Sequence, residues 1–574
     1  MRSTFAGLNT MVRGIQNNQL SLDTVGHNIT NATTEGYSRQ SVNSAATKYS
    51  ERPALYGEVL AGSGVDVLSL TRARNIYADK QFWAETSSQT FYKTYKTNYD
   101  KVEAVFNDSK KTGILNAMQE FYQSWVNLSD YASDAASRTS VISKGNNLVN
   151  RIQTAAKQLQ EQIAAQYDEM RTQVQKVNTI TGQIAQLNQN IMLAETGGGM
   201  ANDLRDQRDL LVDKLSELTN VNVYQEPNGM YTVVSNGSTL VHRNSALTLE
   251  MSEPYHNEQY GISDYTIRIK EAGGLGYIPQ GGVLKALQDT IAQDKGYIDN
   301  LADISATLLS TFNDVHKQGA GIDRNETTWT NFFGKNAFKS TFTGANYDQR
   351  HYTWHVDPLT GDRYLRAAGA SIVRTSVGTT RTVTMTDTSI GNDIQKLRSM
   401  QIIEELKVSD ELTAAGGQNL IGARQITNNA GVKIAPTYVL GGATYTYNTS
   451  NINGTGDGTM AVELSKLFNL GQSNTMNPMG TERAVGDISV NQYYNEIMSR
   501  LGASAENIEK KVKHQDDLMT QIEQWRQSTA GVDWNEELTN MLKFQTGYGS
   551  CSRVLTTMDE MLDRLINSTG VVGR

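Results

Sequence analysis

The chain of 574 residues contains one cysteine, Cys551, so it can form neither an internal disulfide nor a cysteine-based metal cluster. No apolar run reaches the roughly 18 residues of a membrane span, and residues 1–30 lack the continuous apolar stretch of a cleavable secretion signal. The formal net charge is −8 with no basic patch, which argues against a nucleic-acid partner. With 38% hydrophobic residues, the sequence predicts several folded domains and no membrane partner.

Proline is scarce, and its absence from two long stretches predicts long helices. Residues 54–226 and 479–574 contain none, and proline breaks helix interiors. Within the first stretch, apolar residues keep a heptad-like rhythm from Leu148 to Ile191, which predicts a helix of about 65 Å. The three glycines at 197–199 are expected to end it.

The middle of the chain has the character of β structure. Residues 221–282 contain short alternating segments, with turn signals at Pro227-Asn228-Gly229 and Asn236-Gly237. A helical pattern returns at 283–317, and residues 319–488 are rich in Gly, Thr, Tyr and Asn, with strict alternation at 380–386 and 443–447. We therefore predict an α+β multidomain protein. A coiled-coil-like bundle of long helices comes from both chain ends, and β-rich outer domains are inserted in the middle.

This pattern divides the chain into four predicted units. The predicted units are a pair of terminal helical segments (1–48 with 536–574), a helical bundle (49–220 with 283–318 and 489–535), a short β segment with hairpins (221–282), and one or more β-rich outer domains (319–488).

Both chain ends carry an apolar stripe at helical spacing, which predicts an assembly interface. The stripe residues are Leu8, Val12, Ile15, Leu22 and Ile29 near the start, and Leu538, Met541, Leu542, Tyr548, Leu555, Met558, Leu562 and Leu565 near the end. Isolated helices of this size are marginally stable in water, so we expect them to pack on each other and on neighbouring molecules. Docking of both helices on the chain's own globular body is an equally good interpretation of the pattern.

The sequence offers little that could support catalysis or hold a metal or cofactor. The seven histidines are scattered, and only His351 and His355 share the spacing that can bind a metal on a helix. Their setting suggests a loop or strand, so we predict ordinary packing roles for them. The charged run at residues 203–209 has its charges opposite an apolar face, which is typical of a solvated or inter-helix salt-bridge face. We therefore predict no catalytic, cofactor or metal site.

Residues 28–40, with the sequence NITNATTEGYSRQ, resemble the N-terminal signature of the flagellar axial proteins, the family of rod, hook and hook–filament junction subunits. The signature turn contains Asn31, Gly36, Tyr37, Ser38 and Arg39, and its glycine suits a sharp turn after the helix. Glu35 stands where the family often has proline. Further segments resemble the hook-associated branch of this family, namely 203–212, 236–241, 281–284, 312–319, 530–538 and 544–555.

This resemblance covers roughly residues 1–320 and 485–566, and it does not extend to 320–485. It implies a non-enzymatic structural subunit of the extracellular flagellum, exported unfolded through the flagellar channel, that connects hook and filament. The implied partners are further copies in a ring of about eleven subunits, the hook protein, hook-associated protein 3 as second junction protein, and an export chaperone at the C-terminal helix. The alternatives are another axial protein, such as the hook subunit, and more remotely a secreted enzyme or adhesin with an active outer domain.

Overall fold

A computed structural model describes residues 5–47, 62–106, 113–335, 345–356, 363–387, 395–428, 430–434, 443–469 and 489–568. The helices are α1 (Phe5–Thr30), α2 (Ile76–Phe106), α3 (Ile114–Asp130), α4 (Ala135–Glu195), α5 (Asn202–Leu218), α6 (Gly282–Thr307), α7 (Asn313–His316), α8 (Ser399–Glu405), α9 (Asp410–Thr413), α10 (Thr459–Lys466), α11 (Val490–Ala530) and α12 (Trp534–Ser568). Short 3-10 turns lie at Gly417–Leu420 and Thr449–Asn451.

The strands are short and lie mostly between α5 and α11. They are β1 (Gln40–Ala46), β2 (Val65–Arg72), β3 (Asn222–Gln225), β4 (Tyr231–Ser235), β5 (Ser238–His242), β6 (Ser245–Ala246), β7 (Leu249–Met251), β8 (Tyr255–Asn257), β9 (Ile262–Asp264), β10 (Ile267–Ile269), β11 (Leu275–Gly276), β12 (Ala345–Val356), β13 (Arg363–Val377), β14 (Thr380–Asp387), β15 (Gln395–Leu397) and β16 (Ala443–Asn448). All the described pairings are antiparallel. The sheets are β1-β2, β3-β4-β5-β6, β11-β10-β7, β8-β9, and β12-β13-β14-β16 with β15 on β13.

The helix α4 runs for 61 residues without a break, which corresponds to about 90 Å. It begins after Asp134, whose side chain accepts a hydrogen bond from the Ser137 N–H and so caps the helix. Its buried residues include the predicted heptad positions from Leu148 to Ile191 except Leu187, which is half-buried. The predicted long helix is confirmed, and it starts earlier in the chain than the heptad pattern indicated. It ends just before Gly198, whose φ is +85°.

The helices α2–α6 and α11, which we call the trunk, share one hydrophobic core with the small sheets β3–β7 and β10. Aromatic side chains fill its end near α3, where the Phe121 ring lies 5.4 Å from Phe312 and 5.6 Å from Phe332. The helical pattern at 283–317 is confirmed, but it contains a π-helical turn at Leu308–Phe312. A π turn rotates the residues that follow it relative to the buried apolar face of α6, and the side chains of this turn are all buried.

The predicted hairpin turns are confirmed in the middle of the chain. Asn236 and Gly237 have φ values of +46° and +75° between β4 and β5, as a tight hairpin requires, and Gly229 has a φ of +79° between β3 and β4. The alternating segments at 380–386 and 443–447 form β14 and β16. Their inner face has a separate small core that includes Ile372, Val383, Tyr445 and Tyr447.

The predicted fold class is confirmed, because helices from both chain ends pack together and the sheets lie in the middle. The predicted units contain elements that their descriptions did not include. The terminal segment 1–48 contains the strand β1 after α1 ends at Thr30, and the block predicted as a helical bundle from residue 49 contains the strand β2. The region 319–488 contains the short helices α8, α9 and α10. Elements of four to eight residues carry too few periods for a hydropathy pattern to reveal them. The division into four units stays a prediction.

The histidine pair does not lie on a helix, since His351 belongs to β12. The His351 side chain is buried with its Nδ1 3.2 Å from Nζ of Lys317, an ammonium that would repel a metal ion. The side chain of His355 lies outside the described residues. Within the described part of the chain, no three His, Cys, Asp or Glu side chains cluster as a metal would require. None of the helices in that part combines the length and apolarity that crossing a membrane requires.

A buried carboxyl group, Asp294, makes trunk stability depend on pH. It accepts hydrogen bonds from the amides of Asn98 (3.1 Å), Gln162 (3.0 Å) and Gln166 (2.7 Å). Burial raises the pKa of Asp294 to about 6, and the three amide donors offset only part of this effect. The folded state therefore binds this proton more tightly than the unfolded chain, and the free energy of unfolding falls as pH rises from about 4 to 6.

We expect Asp294→Asn to remove this dependence. The unfolding free energy of the variant minus that of the wild type should increase by about 2–3 kcal/mol between pH 4 and pH 7. Urea titrations at several pH values measure the difference. The control is Asp289→Asn on the same helix, where Asp289 pairs with Lys285 near the surface, and it measures the effect of removing a carboxylate that is only half-buried. A difference for Asp294→Asn that stays flat across this range would contradict the prediction.

Candidate assembly site

The first and last helices, α1 and α12, form an antiparallel pair that we call the inner pair. A Cβ atom built on Gly7 would lie 2.9 Å from Cε of Met558, and one built on Gly14 would lie 3.0 Å from Sγ of Cys551. Seven residues forward along α1 thus correspond to seven residues back along α12. This is the register of an antiparallel coiled coil with close helix approach.

The face of α1 that meets α12 consists mainly of small and polar residues. It continues from the two glycines through Asn18, which contacts Gly547, to the buried Asn28, whose amide donates to Glu537. The pairing of the two helices is confirmed. Leu8, Ile15 and Ile29 of the predicted stripe each follow a residue of this face by one position, about 100° around the helix. The role of the stripe residues Leu8, Val12, Ile15, Leu22 and Ile29 in assembly stays a prediction.

On α1, the predicted stripe therefore flanks the seam and stays partly open to solvent. Val12 is 39% exposed, and the other four stripe residues are half-buried. Hydropathy could not find the seam, because glycine and serine carry no apolar signal. Glycines seven residues apart were the signal that could have revealed it, since such spacing lets two helices approach closely.

On α12 the predicted residues divide between two faces. Met541, Leu555, Met558 and Leu562 are half-buried, and Met558 contacts α1 directly. The others remain in solvent, with exposed fractions of 46% for Leu538, 65% for Leu542, 39% for Tyr548 and 54% for Leu565. The inner pair thus presents several large apolar side chains that are about half exposed, which is typical of an interaction surface.

The signature turn after α1 connects the inner pair to the trunk. Gly36 has a φ of +79°, a left-handed conformation that glycine adopts without strain. Three successive backbone N–H groups then bind three different helices. Ser38 donates to Asp206 of α5 (2.9 Å), Arg39 to the Ala530 carbonyl of α11 (2.9 Å), and Gln40 to the Asn28 side chain of α1 (2.9 Å).

Side chains of the same turn add further contacts. The Tyr37 hydroxyl donates to Oδ1 of Asn28 at 2.8 Å, and burial together with nearby acids such as Asp203 raises the pKa of Tyr37. The Asn31 side chain donates to the His27 carbonyl at 3.0 Å and so caps the end of α1. The turn residues chosen from the sequence are therefore brought together, although their role in assembly stays a prediction.

The charged run at residues 203–209 lies behind the turn and is largely buried. Arg72 binds Asp206 (2.6 Å) and Asp209 (2.9 Å), and Arg74 binds Asp209 (3.2 Å). The prediction of an inter-helix salt-bridge face is confirmed in part. The charges form ion pairs, but their partners Arg72 and Arg74 come from β2 and the segment after it rather than from a helix. The alternative of a solvated face is wrong, because Asp206 and Asp209 are 5% and 1% exposed. Hydropathy places charges in solvent, and it could not anticipate partners from a distant strand.

The pKa values of the buried carboxyl groups Asp206 and Asp209 depend on how each is paired. Burial opposes ionisation of Asp209, but Arg74 and Arg72 outweigh it and hold the pKa of Asp209 below its usual value. Asp206 has a raised pKa because its burial exceeds the effect of Arg72 and of the Ser38 N–H. In this arrangement the buried charges are paired with one another. Its chemistry is that of a structural joint.

A second group of ion pairs attaches α11 to the rest of the trunk. Arg526 of α11 binds Asp79 of α2 (3.1 Å) and Asp213 of α5 (2.9 Å), and Asp213 also accepts from the Trp83 indole (2.6 Å). Burial raises the pKa of Asp213 despite these partners. Charged contacts therefore hold α11 against both α2 and α5.

A paired set of terminal helices with an open apolar surface, joined to a long helical trunk, is typical of a subunit that assembles side by side. The model of the "Flagellar hook-associated protein FlgK helical domain" matches residues 99–333, and that of the "Flagellar basal body rod FlgEFG protein C-terminal" matches 524–568. Both models describe proteins of the bacterial flagellum, and the chain is also similar to relatives named flagellar hook-associated protein 1.

Relatives of that name match over their full length. The chain is 27% identical to "Flagellar hook-associated protein 1" of Bacillus subtilis (strain 168), with all of both chains covered. It is 25% identical to the protein of the same name from Salmonella typhimurium, covering 98% of this chain and 99% of the relative. The solved "flagellar hook junction protein FlgK from Burkholderia pseudomallei" is similar in fold, with a TM-score of 0.55 and 20% identity over 79% of this chain and 100% of that one.

Proposed function

We propose that this protein is a structural, non-enzymatic subunit of the extracellular bacterial flagellum that forms the junction between hook and filament. Its full-length relatives are hook-associated proteins, which favours this role over that of a hook subunit, an enzyme or an adhesin. The match of residues 524–568 to a rod-protein model supports assembly along the flagellar axis.

The observation that carries this proposal is the open apolar surface of the inner pair. Leu542 and Leu538 of α12 are 65% and 46% exposed, and Val12 of α1 is 39% exposed. Burying a leucine side chain contributes about 1.5–3 kcal/mol, so a subunit that packs several of them on its neighbours gains substantial stability. Neighbouring subunits of the tube cover this surface after assembly.

The proposed partners are those that would cover the exposed apolar surface of the inner pair. Copies of the chain lie side by side in a closed ring of about eleven subunits. The hook protein contacts one side of this ring, and the second junction protein, hook-associated protein 3, contacts the other. Before export, a chaperone covers the exposed side of α12, because an open apolar helix face would otherwise aggregate. The resemblance to axial proteins and the exposed residues of α12 support these assignments.

The test compares two substitutions on α12 in a strain of the source bacterium that lacks its own copy of the gene. The strain is expected to carry hooks without filaments, and the wild-type gene should restore the filaments. Leu542→Asp should fail to restore them, whereas Thr556→Asp, at an exposed polar position of the same helix, should succeed. Electron microscopy counts filaments per hook, and thermal unfolding checks that both purified variants fold like the wild type. Normal filaments in the deletion strain would refute the proposed function.

A further inference from the structure

The chain passes between trunk and inner pair at a short connection, residues 531–533, which we call the elbow. The helix α11 belongs to the trunk through the buried Met519 and Ile522, and α12 starts at Trp534 in the inner pair. Three residues between two long helices form a natural hinge, because only their backbone angles need to change for the helices to bend. Contacts that hold the elbow therefore act together with the signature turn after α1 to set the angle between the two bodies.

Arg39 of the signature turn bonds to both sides of the elbow. Its backbone N–H donates to the Ala530 carbonyl, the last residue of α11, at 2.9 Å. Its guanidinium reaches the first turn of α12, where Nε donates to Glu537 at 2.8 Å and Nη2 donates to Glu536 at 2.6 Å. The Arg39 carbonyl accepts from the Ala73 N–H at 2.8 Å, close to the start of α2. A single residue thus bonds to α11, to α12 and to the segment that enters the trunk.

The carboxylate of Glu537 completes this connection. Glu537 is 1% exposed, and its second oxygen accepts from the Asn28 amide of α1 at 3.0 Å. A buried carboxylate needs charged or polar partners, so the protein cannot release Arg39 without leaving this charge poorly compensated. Glu536 is different, because it is 56% exposed and an ion pair in solvent contributes little.

We propose that Arg39 is a positioning residue that holds the inner pair at one fixed angle to the trunk by bridging the elbow. This inference deepens the proposed function, since a junction subunit transmits load from its neighbours on the inner pair to its trunk through this connection. It concerns the isolated molecule, however, so it can be tested without any flagellum.

The experiment measures the distance between spin labels on the two helices that flank the elbow. The native cysteine is removed by Cys551→Ser, and labels are attached after Lys513→Cys on α11 and Gln545→Cys on α12, both at exposed positions. With Arg39 intact, we expect one narrow distance distribution. Arg39→Ala should broaden it or add a second distance, and Arg39→Lys should restore it only in part, because lysine lacks the planar fork.

Hydrogen exchange gives a second measurement on the same variants. Amides at the start of α12, residues 535–541, should exchange about tenfold faster or more in Arg39→Ala and in Glu537→Gln. Glu536→Gln should have a much smaller effect. Arg171→Ala, which removes an exposed arginine paired with Asp168 on α4, is the control and should leave both measurements unchanged.

The possible results distinguish a failure of the Arg39 proposal from a failure of the proposed function. A folded Arg39→Ala protein with the wild-type distance distribution and wild-type exchange would overturn the proposal. If Arg39→Ala does not fold, Glu537→Gln becomes the deciding variant. A narrow, unchanged distance distribution in Glu537→Gln would then overturn the proposal. A fixed elbow in the monomer combined with normal filaments in the deletion strain would refute the proposed function while leaving the role of Arg39 intact.

Discussion

Replacing Asp209 with alanine is expected to lower the free energy of unfolding by about 3–5 kcal/mol. Asp209 is 1% exposed, accepts a hydrogen bond from Arg72 and forms an ion pair with Arg74, while Arg208 lies beside it. Without the carboxylate, these guanidinium groups remain in a region of low dielectric with fewer compensating charges. The cost of an uncompensated buried charge is much larger than that of a lost surface ion pair.

Urea unfolding followed by circular dichroism measures this effect. The matched control is Asp168→Ala on α4, where the carboxylate is 74% exposed and pairs with Arg171 one helical turn away. That substitution should change stability by less than about 0.5 kcal/mol. A loss below about 1 kcal/mol for Asp209→Ala would mean that the buried arginines find other acceptors, which would contradict our account of the joint.

Gly282→Ala is expected to destabilise the protein by a similar amount, about 3–5 kcal/mol. Gly282 begins α6 with a φ of +69°, a conformation that costs an L-residue energy. A Cβ atom on it would lie 2.4 Å from the Leu218 carbonyl carbon and 2.6 Å from its oxygen. These are backbone atoms at the end of α5, so the contact can be relieved only by moving one helix away from the other.

The helix α6 also offers a control substitution that is expected to raise the free energy of unfolding. Gly296 lies in the interior of α6, and a Cβ atom on it would have no atom within 4 Å. Gly296→Ala should therefore stabilise the protein by about 0.5–1 kcal/mol, because alanine has the higher helix propensity. Thermal and urea unfolding of the two variants give the comparison. Equal effects of both substitutions would show that the close approach of α5 and α6 does not constrain Gly282.

Local patterns predicted the long elements well. The heptad from Leu148 to Ile191 predicted α4, and Asn236-Gly237 predicted a hairpin, since both depend on neighbours along the chain. The π turn at Leu308–Phe312 was not predictable in this way. It depends on how the aromatic side chains around Phe121 fill the end of the core, which residues close in sequence do not specify.

The candidate site was predictable in its outline but not in its contacts. Stripe residues such as Leu8 and Leu542 were found because they are large and apolar, and several of them turn out to be open to solvent. The seam of Gly7, Gly14 and Asn18 was missed, because small residues become informative only when a second helix lies against them.

The sequence by itself determined the helical ends, the β-rich middle, the signature turn and the likeness to axial proteins, since helix periodicity, turn residues and motifs are local properties of the chain. Only the tertiary structure decided which face of α1 meets α12, that Asp206 and Asp209 are buried with Arg72, and that Arg39 bridges the elbow. The physical reason is that burial and charge pairing depend on distances between residues far apart in sequence. Asp209 and Arg72 are separated by 137 positions, and no local pattern encodes their meeting.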